Sequence, residues 1–145
     1  MKIIVDERQA VDEIEVIIRC NKVTDEVKNI IKLLDTSIAQ IKGRRAGCIR
    51  LINISEIYYL ESVDKKTFLY TEDKVYEIKE RLYMIVEMLK NKGFIRISKS
   101  MIVNLMYVRG IKPKINKRLI LNLENKEKLI VSRSFVDEFK RELGM

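Results

Sequence analysis

The chain has 145 residues, 47% of them hydrophobic and 34% charged, with a formal net charge of +8. That composition supports a packed core and excludes a disordered polyelectrolyte, and no apolar run reaches the roughly 18–20 residues that a membrane-spanning helix needs. Histidine is absent and the two cysteines, Cys20 and Cys48, stand apart, which argues against Cys/His zinc sites and all His-dependent catalysis.

The opening stretch Met1–Glu7 meets acid too early for a signal peptide, so a cytoplasmic chain is expected. Lys2–Val5 and Glu13–Cys20 are short, apolar and β-branched, and predict two strands. Thr24 then suits a helix N-cap, with Asp25 and Glu26 favourable to the helix dipole. Val27, Ile30, Ile31, Leu34, Ile38 and Ile41 follow at spacings of three and four and predict an amphipathic helix of about five turns. Gly43 stands where that helix should stop. Residues 1–45 thus predict a β-β-α unit, and the basic, glycine-punctuated stretch Lys42–Gly47 a linker to a second module, residues 46–145.

The second module predicts short strands with polar turns: Cys48–Ile52, Ile57–Val63, Phe68–Thr71 and Val75–Ile78, broken at Asp64-Lys65-Lys66 and Glu72-Asp73. Glu80–Leu89 has one apolar face and predicts a helix, closed by Gly93. Phe94–Ile97 predicts a strand that Ser98-Lys99-Ser100 interrupts, and Met101–Val108 is apolar and open to either reading. Ile111–Ile115, Leu119–Leu123 and Leu129–Val131 predict closing strands, with turns at Asn116-Lys117 and Glu124–Lys126. Ser134, with Asp137 three residues on, predicts a capping box for a last helix that buries Phe135, Val136, Phe139 and Leu143. The class is α+β: an N-terminal β-β-α unit, then a mostly antiparallel-β module with short helices.

Charge sharpens the functional question. Residues 1–45 carry 9 Lys/Arg against 8 Asp/Glu, residues 46–90 carry 7 against 8, and residues 91–145 carry 13 against 5. All the excess lies in the last third, as a polyanion-binding surface or a lysine-rich solvated face requires. No GxGxxG or Walker loop is present, so neither an enzyme nor a bound cofactor is expected.

Within that last third, Phe94-Ile95-Arg96-Ile97-Ser98-Lys99-Ser100-Met101-Ile102-Val103-Asn104 resembles the signature of the LytTR DNA-binding domain. Three further pieces match in order: Ile57–Ser62, the helix Leu82–Leu89, and Val131-Ser132-Arg133-Ser134. Together they cover roughly residues 47–143. The resemblance implies an elongated domain of small antiparallel sheets that reads the major groove of duplex DNA with loops. It also implies a transcriptional regulator acting on paired promoter sites. Regulators of paired sites usually act as dimers, and the apolar face of the N-terminal helix, which needs a partner, predicts that residues 1–43 form the homodimer contact. Family members without a receiver are often restrained by a small membrane protein. The roughly 45 residues before the module are too few for a phospho-acceptor receiver.

Carried onto this sequence, the resemblance implies that Lys65, Lys66, Thr67, Arg96, Ser98, Lys99, Ser100 and Arg133 face DNA. Arg133 suits the O6 and N7 acceptors of guanine, and Lys99 the same acceptors less rigidly. Ser98 and Ser100 suit phosphates or base edges, whereas Lys65, Lys66 and Arg96 suit phosphates. Two positions depart from the family pattern, Ser98 where some members carry His and Thr67 where some carry a larger polar residue, which leaves the base read there open. Asn104 is better explained as a turn-former, and Tyr58, Tyr59, Tyr76, Tyr83 and Tyr107 as core or sheet-face residues. An RNA-binding basic module, and a sensor or interaction protein acting through residues 1–43, are the competing readings.

Overall fold

Alternating apolar side chains and tight turns build two antiparallel sheets. The computed structural model describes residues 1–10, 14–36 and 40–145. A helix, α1 (Asp25–Thr36), precedes ten strands: β1 (Gln40–Arg45), β2 (Cys48–Asn53), β3 (Tyr59–Val63), β4 (Lys66–Tyr70), β5 (Val75–Ile78), β6 (Phe94–Ser98), β7 (Met101–Asn104), β8 (Val108–Lys114), β9 (Arg118–Leu123) and β10 (Lys128–Val131). Two short helices, α2 (Leu82–Met88) and α3 (Val136–Glu142), sit between β5 and β6 and after β10. Strands β2-β1-β5-β4-β3-β7-β6 form one sheet in that order, and β10-β9-β8 form a second.

The two-residue period of a strand decides which core each side chain joins. On one face of the large sheet Ile41, Ile52, Leu60, Leu69, Tyr76 and Ile102 pack with Leu82, Ile85 and Leu89 of the α2 segment. The neighbouring residues Tyr59 and Val103, with Ile95 and Ile97, point to the other face. There they meet Leu119, Leu121, Leu129 and Val131 of the small sheet and Val136 and Phe139 of α3. The strands β3, β6 and β7 are therefore covered on both faces.

Inside this frame Asn104 is buried, and its amide does a turn-former's work. Its Nδ2 donates to the Ile57 carbonyl at 2.8 Å and its Oδ1 accepts from the Met106 N–H at 3.0 Å. Met101–Val108 resolves as strand β7, a single 3-10 turn at Leu105–Tyr107, and the start of β8. Four tyrosines pack as paired rings, Tyr58 on Tyr107 at 3.9 Å and Tyr59 on Tyr70 at 4.2 Å, and Tyr76 is buried in the core of the large sheet. Tyr83 departs from that expectation and is largely exposed.

The N-terminal expectations need correction. Lys2–Val5 and the described part of Glu13–Cys20 take part in no strand pairing, and Ile3, Ile4 and Ile14 are 79%, 74% and 97% exposed; Glu13 lies outside the described residues. Alternation makes a strand only where a neighbour offers its own N–H and C=O groups. The helix begins as expected after Thr24, whose carbonyl accepts from Lys28. It is assigned only to Thr36, however, and from Gln40 the chain is a strand. Ile41 is thus a sheet-core residue, and Ile38 lies outside the described residues.

Gly43 is likewise no helix stop. It sits in β1 opposite Arg50, where a Cβ would lie 2.6 Å from Ile52 Cδ1 and 2.7 Å from Tyr76 Cβ. Glycine is present because the backbone passes so close to these side chains. The expected linker is a β-hairpin instead: Arg45 pairs with Cys48 across Ala46 and Gly47, both at positive φ (51° and 78°). That is the geometry a two-residue turn needs to follow strand twist. At the C-terminus α3 starts at Val136, Ser134 lies in a preceding 3-10 turn, and no side chain caps the helix.

Two outcomes follow. Gly43→Ala forces a methyl into Ile52 and Tyr76 and lowers stability by about 1–3 kcal/mol, read as a fall in the urea midpoint at unchanged m-value. The second concerns alkali. Burial, then the hydrogen bond to Glu61, pushes the Tyr70 phenol up to about 12, and burial, then the bond to Glu127, pushes Tyr59 up as well. Raised values mean that the fold holds the neutral phenols. Their contribution is intact below about pH 10, where an unfolded tyrosine titrates, and is lost as pH rises toward 12. A pH series of thermal midpoints checks this, with Tyr59→Phe/Tyr70→Phe flattening the decline.

Candidate nucleic-acid interface

Three loops from different parts of the chain meet at one end of the two sheets. The register places two of them side by side. Strands β3 and β7 are antiparallel with Glu61 opposite Met101, so the β3–β4 turn and the β6–β7 turn share an end. A backbone bond closes the gap, from the Ser62 N–H to the Ser100 carbonyl at 2.8 Å. The third loop is joined by the Ser132 N–H, which donates to the Ile97 carbonyl at 2.8 Å. Arg133 follows directly and opens a 3-10 turn.

Each loop presents a cation. Asp64 and Lys65 form the two-residue β3–β4 turn at positive φ (50° and 66°), with Val63 paired to Lys66. Neither residue is glycine, so the conformation is strained and needs external support. Arg81 supplies some, its Nη1 donating to the Lys65 carbonyl at 3.0 Å. Lys65, Lys66, Lys99, Ser100 and Arg133 are exposed, and Ser98 is half-buried. None of the four cations takes part in an ion pair among the described residues, where the pairs are Arg8–Asp6, Arg50–Glu56 and Arg109–Glu124.

Two of the expected site residues occupy different positions from the others. Thr67 is buried at 2% exposure and points to the face that carries Leu69, not outward. The reason is strand parity: Lys66 and Thr67 are consecutive, so one faces out and the other in. Thr67 is corrected to a core-facing residue. Arg96 directs its guanidinium into the β6–β7 turn. Its Nε donates to the Ser98 carbonyl at 3.1 Å and its Nη2 to the Lys99 carbonyl at 2.6 Å. With Ser98 Oγ accepting from the Ser100 N–H at 3.2 Å, these bonds fix how Lys99 is displayed. Arg96 is therefore a brace for the loop.

The opposite end of the body is of mixed charge with a small acidic excess. There the β4–β5 turn carries Glu72, Asp73 and Lys74, and the β9–β10 turn carries Glu124, Lys126 and Glu127. Asn125 Nδ2 donates to the Glu72 carbonyl at 2.9 Å and ties these turns together. Acids are also present at the loop end, in Asp64 and in Asp137 of α3. Sequence reasoning missed Arg81 because its partner is a backbone carbonyl, which leaves no trace in the pattern of residue types.

Residues 47–144 match the model of the LytTr DNA-binding domain. The chain belongs to that family. A LytTr DNA-binding domain of a putative methyl-accepting/DNA response regulator from Bacillus cereus has a similar structure, with a TM-score of 0.71 and 28% identity, covering 74% of this chain and 98% of that one. Among curated relatives, the sensory transduction protein LytT of Enterococcus faecalis is 32% identical over 67% of this chain. The transcriptional regulatory protein YpdB of Escherichia coli is 36% identical over 61% of it. The chain spans 40% and 36% of the lengths of these two relatives. This LytTR chain thus has the mostly antiparallel-β architecture with short helices that the resemblance implied.

Removing the brace separates loop order from overall stability. Arg96→Ala takes away two bonds to charged nitrogen, each worth about 1.5–3 kcal/mol when made to a charged group in a well-ordered site and less where solvent reaches it. Amide exchange at Lys99 and Ser100 then accelerates about tenfold or more, while amides of β3 and β4 keep their protection.

Proposed function

We propose that this chain is a non-enzymatic regulator of transcription that binds duplex DNA by sequence, with the three-loop end as its reading surface. The observation that carries the proposal is the convergence of Lys65–Lys66, Lys99 and Arg133 at one end, on loops joined through backbone hydrogen bonds. Concentrated cations without acid partners suit a polyanion. The relatives named for transcriptional regulation and sensory transduction support the same reading.

The roles divide by chemistry. Arg133 reads guanine, because its planar fork meets O6 and N7 together. Lys99 reads beside it from the braced turn, with the Ser98 and Ser100 hydroxyls on phosphates or base edges. Lys65 and Lys66 neutralise phosphates and set the register without reading sequence. Arg96 positions Lys99. The loops are separate, so they enter neighbouring stretches of groove from one side of the duplex.

Two copies bind paired sites. Apolar surface is available for their contact: Ile49 and Leu51 on the sheet-edge strand β2 are 65% and 54% exposed. No helix among the described residues is long and apolar enough to cross a membrane, and the regulator works in the cytoplasm.

Fluorescence anisotropy over a salt series tests this, with labelled duplexes from the region upstream of its own coding sequence, scrambled duplex and matched RNA. Site duplex binds roughly a thousandfold or more tighter than scramble. Arg133→Ala lowers that ratio by about 1–3 kcal/mol. Lys66→Ala weakens all duplexes alike and reduces the salt slope by about 0.9. Equal binding to site and scramble, or preference for RNA, overturns the proposal.

A further inference from the structure

The small sheet carries a second concentration of charge that the three loops do not include. From Gly110 to Leu123 the chain holds four cations, Lys112, Lys114, Lys117 and Arg118, and no acid. Strands β8 and β9 pair with Lys114 opposite Arg118, across a turn at Ile115–Lys117. Asn116 and Lys117 both have positive φ, and Arg118 Nε donates to the Ile115 carbonyl at 3.2 Å, so the tip has a defined shape.

The register locates this tip. Leu119, next to Arg118, pairs with Val131, two residues before Arg133. The tip therefore lies at the loop end of the body, outboard of Arg133, one strand (Arg118 on β9) to two strands (Lys114 on β8) away from it in the order β10-β9-β8. At about 4.8 Å per strand, that displacement is roughly 5–10 Å, or about two to three base pairs at 3.4 Å each. Leu119 and Leu121 face the core, and Lys114 and Arg118 lie on the sheet's outer face.

A simpler explanation covers only part of this charge. β8 is an edge strand, and lysines on an edge discourage pairing with another sheet. Lys112 and Lys114 fit that role, as does Pro113. Lys117 lies in the turn and Arg118 on β9, which is paired on both sides. Neither protects an edge. None of the four forms an ion pair among the described residues. Like charges held this close repel one another, and a polyanion relieves that repulsion.

We infer that the β8–β9 tip is a fourth duplex contact, in which Lys114, Lys117 and Arg118 grip phosphates flanking the stretch read by the three loops. The inference rests on the reading of the loop end as a duplex-binding surface. Its contacts carry charge but no base discrimination, so the tip lengthens the footprint and raises affinity without altering the sequence preferred.

The test uses the full chain, a site duplex with long flanks and the same site trimmed at the flanks. On the long duplex, Lys114→Gln/Lys117→Gln/Arg118→Gln lowers affinity about tenfold or more near 100 mM salt. It makes the salt slope shallower by about two to three units, at roughly 0.9 per phosphate. The preference for site over scramble is unchanged, and the trimmed duplex binds wild type and variant alike. Lys114→Arg/Lys117→Arg, which keeps the charge, binds as wild type and shows that the tip still folds. Identical slopes for wild type and the Gln variant on the long duplex overturn the inference, as does a loss of preference between site and scramble in that variant. A wild-type chain without site preference overturns the regulator reading alone, because the slope on any long duplex still reports the tip.

Discussion

The bond from the Ser132 N–H to the Ile97 carbonyl joins two sheets that share no strand ladder. β6 is the edge of the large sheet, and its carbonyl at Ile97 would otherwise face outward at the end of its ladder. Accepting from Ser132 satisfies it and fixes where the chain leaves β10. Arg133 is therefore positioned against the β6–β7 turn, and not on a free loop. The core between the sheets serves the same end, since Ile97 and Val131 are both fully buried within it. Packing sets the separation of the sheets, and one hydrogen bond sets their alignment at the loop end.

Sites on loops work only when the loops are held. Here each has a specific brace: Arg81 for the β3–β4 turn, Arg96 for the β6–β7 turn, and the Ile97 carbonyl for Ser132–Arg133. At these three loops two arginines, Arg81 and Arg96, are thereby committed to backbone carbonyls, while Lys65, Lys66, Lys99 and Arg133 stay exposed without an ion pair among the described residues. Counting basic residues would treat all of these side chains as equivalent. Their hydrogen bonds divide them into those that shape the surface and those that present charge on it.

Much of this was legible in the sequence. Strands β2 to β6 and β8 to β10 follow from apolar alternation and turn chemistry, whereas the Met101–Asn104 strand lies in a stretch that the sequence left open; Lys65, Lys66, Lys99 and Arg133 lie exposed on the loops. Thr67 was misplaced because the motif marks a stretch of chain, whereas strand parity turns alternate residues inward. Gly43 and Ile41 were read into a helix because spacings of three and four continue across Leu34, Ile38 and Ile41. Nothing local reports that Ile52 and Tyr76, far along the chain, require a residue without a side chain at position 43. The N-terminal strands were expected from alternation alone, and alternation carries no information about whether a partner strand exists.

The central claim is that the end gathering the three loops is the surface that meets duplex DNA. Backbone amide chemical shifts, followed by NMR as the site duplex is titrated into labelled protein, test it most directly. The account predicts large shifts at Asp64–Lys66, Ser98–Ser100 and Ser132–Ser134, and little change at Glu72–Lys74 and Glu124–Lys126 at the opposite end. Shifts concentrated at the opposite end, or on the exposed face of β2 with the three loops unmoved, would contradict it.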